Sequence, residues 1–588
     1  MKATSILLLI LAGGLAHADP QLTSWFTADS GQYARIYQST ADETSRTASK
    51  TWSRGTGLQS TPTYAGVSKI VYSTNWVYIR STGLAGYIMG PWYLDDAKSQ
   101  NFPNFPSNTA KIYRIPRTPA IPVSKTPTDL GASGCMVNGV SMFDMRDAFS
   151  YVNASSTDST PTNGLTGDGV WNRDGYHNEG VTFDSALAHQ ADNNYHYHAQ
   201  PIGLRNQLGD HVDYNATTNR YTESTTTVTK HSPILAWAAD GLPVYGPYGY
   251  SSPLNVNSGV RRMISGFVLR NGSYGTTNLT STGRTTLPAW AQRIQTVTYK
   301  NGPAVSTTYA LGHYIEDFDY LGDRGYTMGV NFDLNEQNVR WCVTPEFPFG
   351  TYAYFTTINA DGTPAYPYTT GRQYFGSPTG GTSTIGETVT TYFNGGPNKI
   401  ETANAPTVNT TTGDVTLTWS AVEGGTYLVE ASNDLVTWPD LTPTITAADD
   451  LATAVEVGAK NSNPKRFYRV SKTSLASFDS NGFDYTPTGT TVGTTAAVPG
   501  GTVTRGSTYT LTINIPTTSQ PPVPPANVAV NSVTVGGLAT GISSLVHTSQ
   551  YVVTCTYAVP VGTTTGAKNV VVNINAKVYT LTAALTVN

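Results

Sequence analysis

Where the chain is patterned, the period is two. Ile70-Val71-Tyr72 and Trp76-Val77-Tyr78-Ile79 are β-branched and aromatic runs bounded by Ser, Thr, Asn and Gly, and they predict strands. Residues 415–419 and 427–431 alternate apolar with polar, the second run following the Gly424-Gly425 turn. Further strands are expected at 508–515, 528–535, 551–557 and 570–574. Helical spacing is rare, and the candidates are short, at 142–151 and 183–190. The fold class expected is mainly β: a large β-rich N-terminal domain followed by two small β-sandwiches.

Small-residue stretches divide the chain. Every aromatic-rich, Pro/Gly-punctuated motif lies in 19–376, and 377–404 begins Ser-Pro-Thr-Gly-Gly-Thr-Ser and reads as a linker. Residues 405–472 form one module, with Trp419, the YLVEAS strand and the RFYRV strand. On those residues it resembles the fibronectin type III-like modules of secreted bacterial proteins. Residues 478–588 read as an Ig-like sandwich, with Pro521-Pro522-Val523-Pro524-Pro525 as a stiff loop, since a proline run cannot join a central strand.

Three turn motifs echo one another: Asn138-Gly139, Asp240-Gly241 and Asp361-Gly362, each followed by an alternating run that reaches an aromatic residue. Asn-Gly and Asp-Gly are two-residue hairpin signals. Either the β-domain is internally duplicated, or hairpins simply look alike.

Composition narrows the function classes. Of 588 residues, 35 are Lys or Arg and 39 are Asp or Glu, with no basic run. Nucleic-acid binding rests on dense positive charge and is excluded as an expectation. Met1-Lys2, an apolar run to Leu15 and Ala16-His17-Ala18 form a secretory signal peptide over 1–18, so the mature chain should start at Asp19. No later segment is apolar enough to span a membrane. The protein is therefore expected to be secreted: extracellular, periplasmic or on the cell surface. Such compartments allow disulfides. With 3 cysteines, Cys135 and Cys342 are a possible pair, the alternative being buried free thiols.

The chemistry concentrates in histidine. Seven of the 9 lie between His177 and His313. In Asn194-Tyr195-His196-Tyr197-His198, a strand would put both imidazoles on one face, roughly 6.6 Å apart along the chain. That is close enough to share one metal ion. Tyr195 and Tyr197 would face the other way. His189 lies upstream across a predicted turn, and His231 leads into the apolar run 233–237.

On the tetrapeptide Tyr195-His196-Tyr197-His198 the chain resembles the YHYH domain family of secreted bacterial proteins. It is also similar at VYIRSTGLAGYIMGPW (77–92), CMVNGVSMFD (135–144), HSPILAWAADGLPVYGPYGY (231–250) and CVTPEFPFGTYAYFTTINADGTPAYPY (342–368). The resemblance implies a domain boundary but no reaction. Its pattern has a histidine shortly before the tetrapeptide, matched by His189, and one before the DG-x-P-x-YGP stretch, matched by His231. His177, His211 and His313 are not carried over.

Imidazole chemistry makes His189, His196, His198 and His231 the expected ligands of copper or zinc. Met136, Met142 and Met145 are core filler or a soft ligand favouring copper. Glu179, Asp184, Asp240, Tyr195 and Tyr197 are candidates to orient the ligands, and a carboxylate could serve as a base. The acidic stretch Glu316-Asp317-Phe318-Asp319, with Asp323, Asp333 and Glu336, departs from calcium-loop spacing and reads as a solvated loop rather than a calcium site. No G-x-S-x-G, H-E-x-x-H or P-loop is present. The function expected is a secreted metal-binding protein with no reaction assigned. The alternative is a surface protein that binds glycan or protein through its aromatic residues, with the sandwiches as spacers; a metal-independent hydrolase ranks last. Oligomeric state is left open.

Overall fold

The structure, a computed structural model, describes residues 19–463, 465–483, 492–494, 502–503, 505–515, 529–549, 551–574 and 577–588. The expected signal peptide (1–18) and the Pro521–Pro525 loop lie outside the described residues. The chain is mainly β. Residues up to Gly396, with Asn481–Phe483, make one compact unit; 397–480 and 484–588 make the other. Among the described residues no helix is long and apolar enough to cross a membrane.

The first unit is built on two sheets. In chain order their strands are β1 (Val67–Tyr72), β2 (Trp76–Ser81), β3 (Lys111–Pro116), β4 (Ala132–Met136), β5 (Ser141–Phe143), β6 (His189–Ala191), β7 (Asn194–Tyr197), β8 (Ile234–Ala238), β9 (Pro243–Tyr245), β10 (Val339–Cys342), β11 (Thr351–Phe355), β12 (Gly381–Thr382) and β13 (Thr390–Asn394). The strands expected around 70 and 76 are β1 and β2. The stretch read as a linker, 377–404, instead supplies both edges of the five-stranded sheet, whose order is β12-β3-β2-β1-β13. Backbone pairing needs no large side chains, so small-residue composition did not betray these edges.

The eight-stranded sheet runs β6-β7-β5-β4-β8-β9-β11-β10. It has a two-fold pattern. The central pair is antiparallel with Cys135 opposite Trp237, flanked by Met136 opposite Ala236 and Gly134 opposite Ala238. On each side a hairpin (β4-β5 or β8-β9) pairs in parallel with the inner strand of a second hairpin (β7 or β11). Adding 102 to a residue number maps the first inner hairpin onto the second. The turn echo is therefore a duplication at the level of the sheet.

The echoed turns share one geometry. Gly139, Gly241 and Gly362 have φ of 83°, 84° and 86°, while Asn138, Asp240 and Asp361 keep negative φ. Each Asn or Asp Oδ1 accepts from the backbone N–H two residues on. These are three-residue loops, a type I turn closed by a left-handed glycine, rather than the two-residue loops expected.

Neither helix candidate forms. Residues 142–151 fall on β5 and on a further strand, Arg146–Val152; Phe143, Phe149 and Tyr151 favour strands, and a single short helix is too weak to compete. In 183–190 the Asp184 carboxylate accepts from the N–H groups of Ala186 and Ala188, and Leu187 has φ 66°. Those donors are withdrawn from any helix.

Cys135 and Cys342 are free, buried thiols. They stand on β4 and β10, which are four strands apart, roughly 19 Å at the usual strand spacing and far beyond disulfide reach. Apart from the exposed Asp323 and the half-buried Glu336, the acidic stretch is not solvated either. Asp317 is fully buried and paired with Arg284 at 2.7 Å, Asp333 with Arg261 at 2.6 Å and Asp323 with Arg293 at 2.8 Å.

In the second unit, strands Val415–Ser420 and Leu451–Glu456 lie in one three-stranded sheet, and Thr426–Ser432 and Phe467–Ser474 in another. Val415, Leu417, Trp419, Tyr427 and Val429 share one core. Further on, Thr508–Asn514 and Val552–Ala558 belong to one four-stranded sheet, and Val530–Val535 and Gly566–Ile574 to a second. These are the strands the alternation predicts.

Candidate metal centre

The YHYH tetrapeptide begins on β7, a strand of the eight-stranded sheet, so its side chains alternate between faces. His196 and His198 go to one side, and β6 places His189 directly opposite His196. All three are buried, at 4%, 1% and 3% exposure for His189, His196 and His198. The Nε2 of His196 lies 3.1 Å from that of His189 and 3.0 Å from that of His198.

The other ring nitrogens decide the tautomers. His196 Nδ1 lies 3.0 Å from the Asn194 carbonyl and His198 Nδ1 2.7 Å from the Asp144 carbonyl. A carbonyl only accepts, so both Nδ1 atoms carry the proton. His189 Nδ1 meets Thr182 Oγ1 at 2.7 Å, and that hydroxyl already donates to the Glu179 carbonyl at 2.7 Å. His189 Nδ1 is therefore also the donor. When neutral, all three imidazoles turn bare Nε2 lone pairs toward one point.

Glu179 joins them. It ends helix α1 (Gly175–Glu179), which Asp174 caps by accepting from the His177 N–H. Glu179 Oε2 lies 3.2 Å from His198 Nε2 and 3.6 Å from His189 Nε2, and no donor other than these imidazoles reaches it among the described residues. Gly175 makes this fit possible, since a Cβ there would sit 3.0 Å from His198 Nδ1. Phe143 stacks on His196 at 3.9 Å between ring centres, and Phe183 meets His189 edge-on at 4.8 Å.

Electrostatics favours uncharged imidazoles on one side of the cluster. Burial, aided by His198 and opposed by Glu179, lowers the His189 pKa to about 4. Burial and the neighbouring imidazoles push His196 well below its usual value. For His198 burial acts downward, but the Glu179 carboxylate outweighs it and the pKa rises. Burial tends to raise Glu179, yet His189 and His198 hold it below the usual range. Around a tetrahedral ion with bonds of about 2.0–2.1 Å, ligand atoms lie roughly 3.3–3.4 Å apart. Four of the six separations in this group, 3.0 to 3.6 Å, bracket that value, and the three imidazole ligand atoms all lie within 4.8 Å of one another.

The structure does not bring His231 to this group. The ring of His231 packs against Tyr245, Tyr250 and Phe355, on the other half of the sheet. By the two-fold pattern, Arg340, Ala353 and Phe355 stand where His189, His196 and His198 stand in the first half. His231 is thus beside the counterpart of the site, not in it. Asp184 and the two tyrosines also belong elsewhere. Tyr195 donates to Asp184 at 2.7 Å, and Tyr87 bonds to both Tyr195 and Tyr197, all on the opposite face of β7. Asp240 accepts from Tyr354 and from the Gly376 N–H near the second hairpin. Met136, Met142 and Met145 are fully buried in apolar clusters. Thr182, Phe143 and the Asn194 and Asp144 carbonyls were not legible, because their roles depend on tertiary approach.

The two hairpins, the duplicated sheet and the His-x-His strand all fall in one segment. Residues 112–369 match the family described as YHYH protein. The matched segment thus holds the whole eight-stranded sheet and the histidine group. No curated protein matches the chain significantly. Among solved structures it is similar to the Bacteroides ovatus mixed-linkage glucan utilization locus SGBP-B, in complex with mixed-linkage heptasaccharide. Identity is 14% over 30% of this chain and 40% of that one, with a TM-score of 0.12.

Proposed function

We propose that the YHYH region binds a divalent transition metal, zinc or copper, through His189, His196 and His198, with the Glu179 carboxylate as a fourth ligand. The observation that carries this reading is the set of three buried imidazoles whose Nδ1 protons are all committed to acceptors, so that bare Nε2 atoms converge. Imidazole with carboxylate suits zinc and copper(II), whereas copper(I) prefers thioether, and no methionine belongs to this ligand set. The protein is further read as secreted, with its second unit carrying fibronectin III-like and Ig-like modules.

Metal analysis of protein purified without an affinity tag tests the assignment, beside a His196→Ala/His198→Ala double variant. The native protein should hold about one equivalent of metal per chain and the variant almost none. Equal contents would overturn the reading.

A further inference from the structure

A second feature lies on the far side of α1. Tyr176 and His177, from the middle of that helix, line a cleft of about 470 Å³ together with Asn271, Tyr274, Phe318 and Tyr366. Its volume is in the range of small-molecule sites. Its composition is selective. Six aromatic side chains line it, and not one Asp, Glu, Lys or Arg does. A charged ligand would find no lining residue of opposite charge, whereas a neutral one faces only the smaller desolvation cost of its polar groups, which hydrogen bonds can offset.

The aromatic groups are arranged as surfaces. Phe318 is half-buried and stacks on Tyr366 at 4.3 Å and 8°. At the mouth, Tyr274 is 55% exposed with φ 54°, a left-handed conformation that a bulky residue rarely takes. Such strain persists where the surroundings impose it, and it clusters at ligand sites. Polar groups stand free beside these rings. The His177 imidazole makes no hydrogen bond among the described residues. The Asn271 Oδ1 accepts from the Ser273 N–H, while its Nδ2 has no acceptor there. Both side chains are exposed.

We infer that this cleft is a binding site for a neutral carbohydrate, whose ring faces lie on Tyr274 and Phe318 and whose hydroxyls bond to His177 and Asn271. Sugar rings present C–H faces that pack on aromatic carbon and rims of hydroxyls that need donors and acceptors. The cleft offers both and no charge. It uses none of the proposed metal ligands, so it stands apart from the metal reading.

The test is titration calorimetry of the full chain against neutral gluco-, xylo- and manno-oligosaccharides and, separately, their uronic-acid counterparts. Binding of a neutral oligosaccharide is expected, weakened about tenfold or more by Tyr274→Ala and severalfold by His177→Ala. Tyr274 is exposed, so its variant should keep the native melting temperature. The His196→Ala/His198→Ala protein should bind the same sugar as the native chain, which separates this outcome from the fate of the metal site. No binding to any neutral oligosaccharide up to roughly 10 mM, weaker than millimolar affinity, would overturn the inference. So would preference for the acidic sugars, or affinity unchanged by both cleft variants.

Discussion

The Thr182 hydroxyl determines one tautomer with a single proton. Because it donates to the Glu179 carbonyl, it can only accept from His189 Nδ1. Thr182→Val keeps the shape but removes that acceptor, freeing His189 to rotate or take the other tautomer. Loss of such outer partners usually weakens metal binding 10–100-fold. Competition with a chromogenic chelator should show a Kd increase of about that size, with the fold intact by circular dichroism. His231 gives a contrasting expectation. Burial lowers its pKa to about 4, below its usual 6.5 when unfolded. The unfolded chain therefore binds more protons between pH 6.5 and 4. The stability this neutral imidazole allows is complete above pH 6.5 and lost as the pH falls toward 4, about 3 kcal/mol. Urea titrations of His231→Gln across that window should show a flatter loss of stability with acid than the native protein.

Individual strands were readable because alternation is a local property. Residues 415–419 show the burial alternation their pattern predicts. What sequence could not give was pairing: that β7 lies parallel to β5, or that 381–382 and 390–394 close a sheet, follows from contacts between distant segments. The same holds at the site. His-x-His on a strand was legible at 196 and 198, and His189 by its nearness, whereas His231 was misplaced because nothing local says which half of a duplicated sheet a residue serves. The hairpins were legible through glycine, and they can be tested there. Gly139 has φ 83°, and a Cβ would meet Ser81 Oγ at 2.2 Å; Gly131 has φ 96° with nothing within 4 Å. Both alanine variants incur backbone strain of about 1 kcal/mol or more, and Gly139→Ala adds a steric conflict. Thermal melts should rank them, with Gly139→Ala lowering the first unit's Tm by several degrees more than Gly131→Ala.

At the scale of the whole molecule, the chain separates into two compact units, and the three histidines and Glu179 lie in one of them. Disulfides contribute nothing to the first unit's cohesion, since Cys135 and Cys342 are free. A metal there would join α1, β6 and β7, segments held otherwise by packing and backbone pairing. Binding to the folded state alone stabilises by RT ln(1 + [L]/Kd), about 2.7 kcal/mol when the free metal is 100 times Kd. The unfolded chain cannot supply three converged imidazoles, so this gain belongs to the first unit only. Calorimetric scans of the full chain, native and chelator-treated, should therefore show one component of the unfolding trace moving down by several degrees on metal removal while the other stays in place. The component that moves should be the one that Gly139→Ala also shifts. If both components moved together, or the metal-sensitive component were indifferent to Gly139→Ala, the metal would have to be held by residues outside the duplicated sheet.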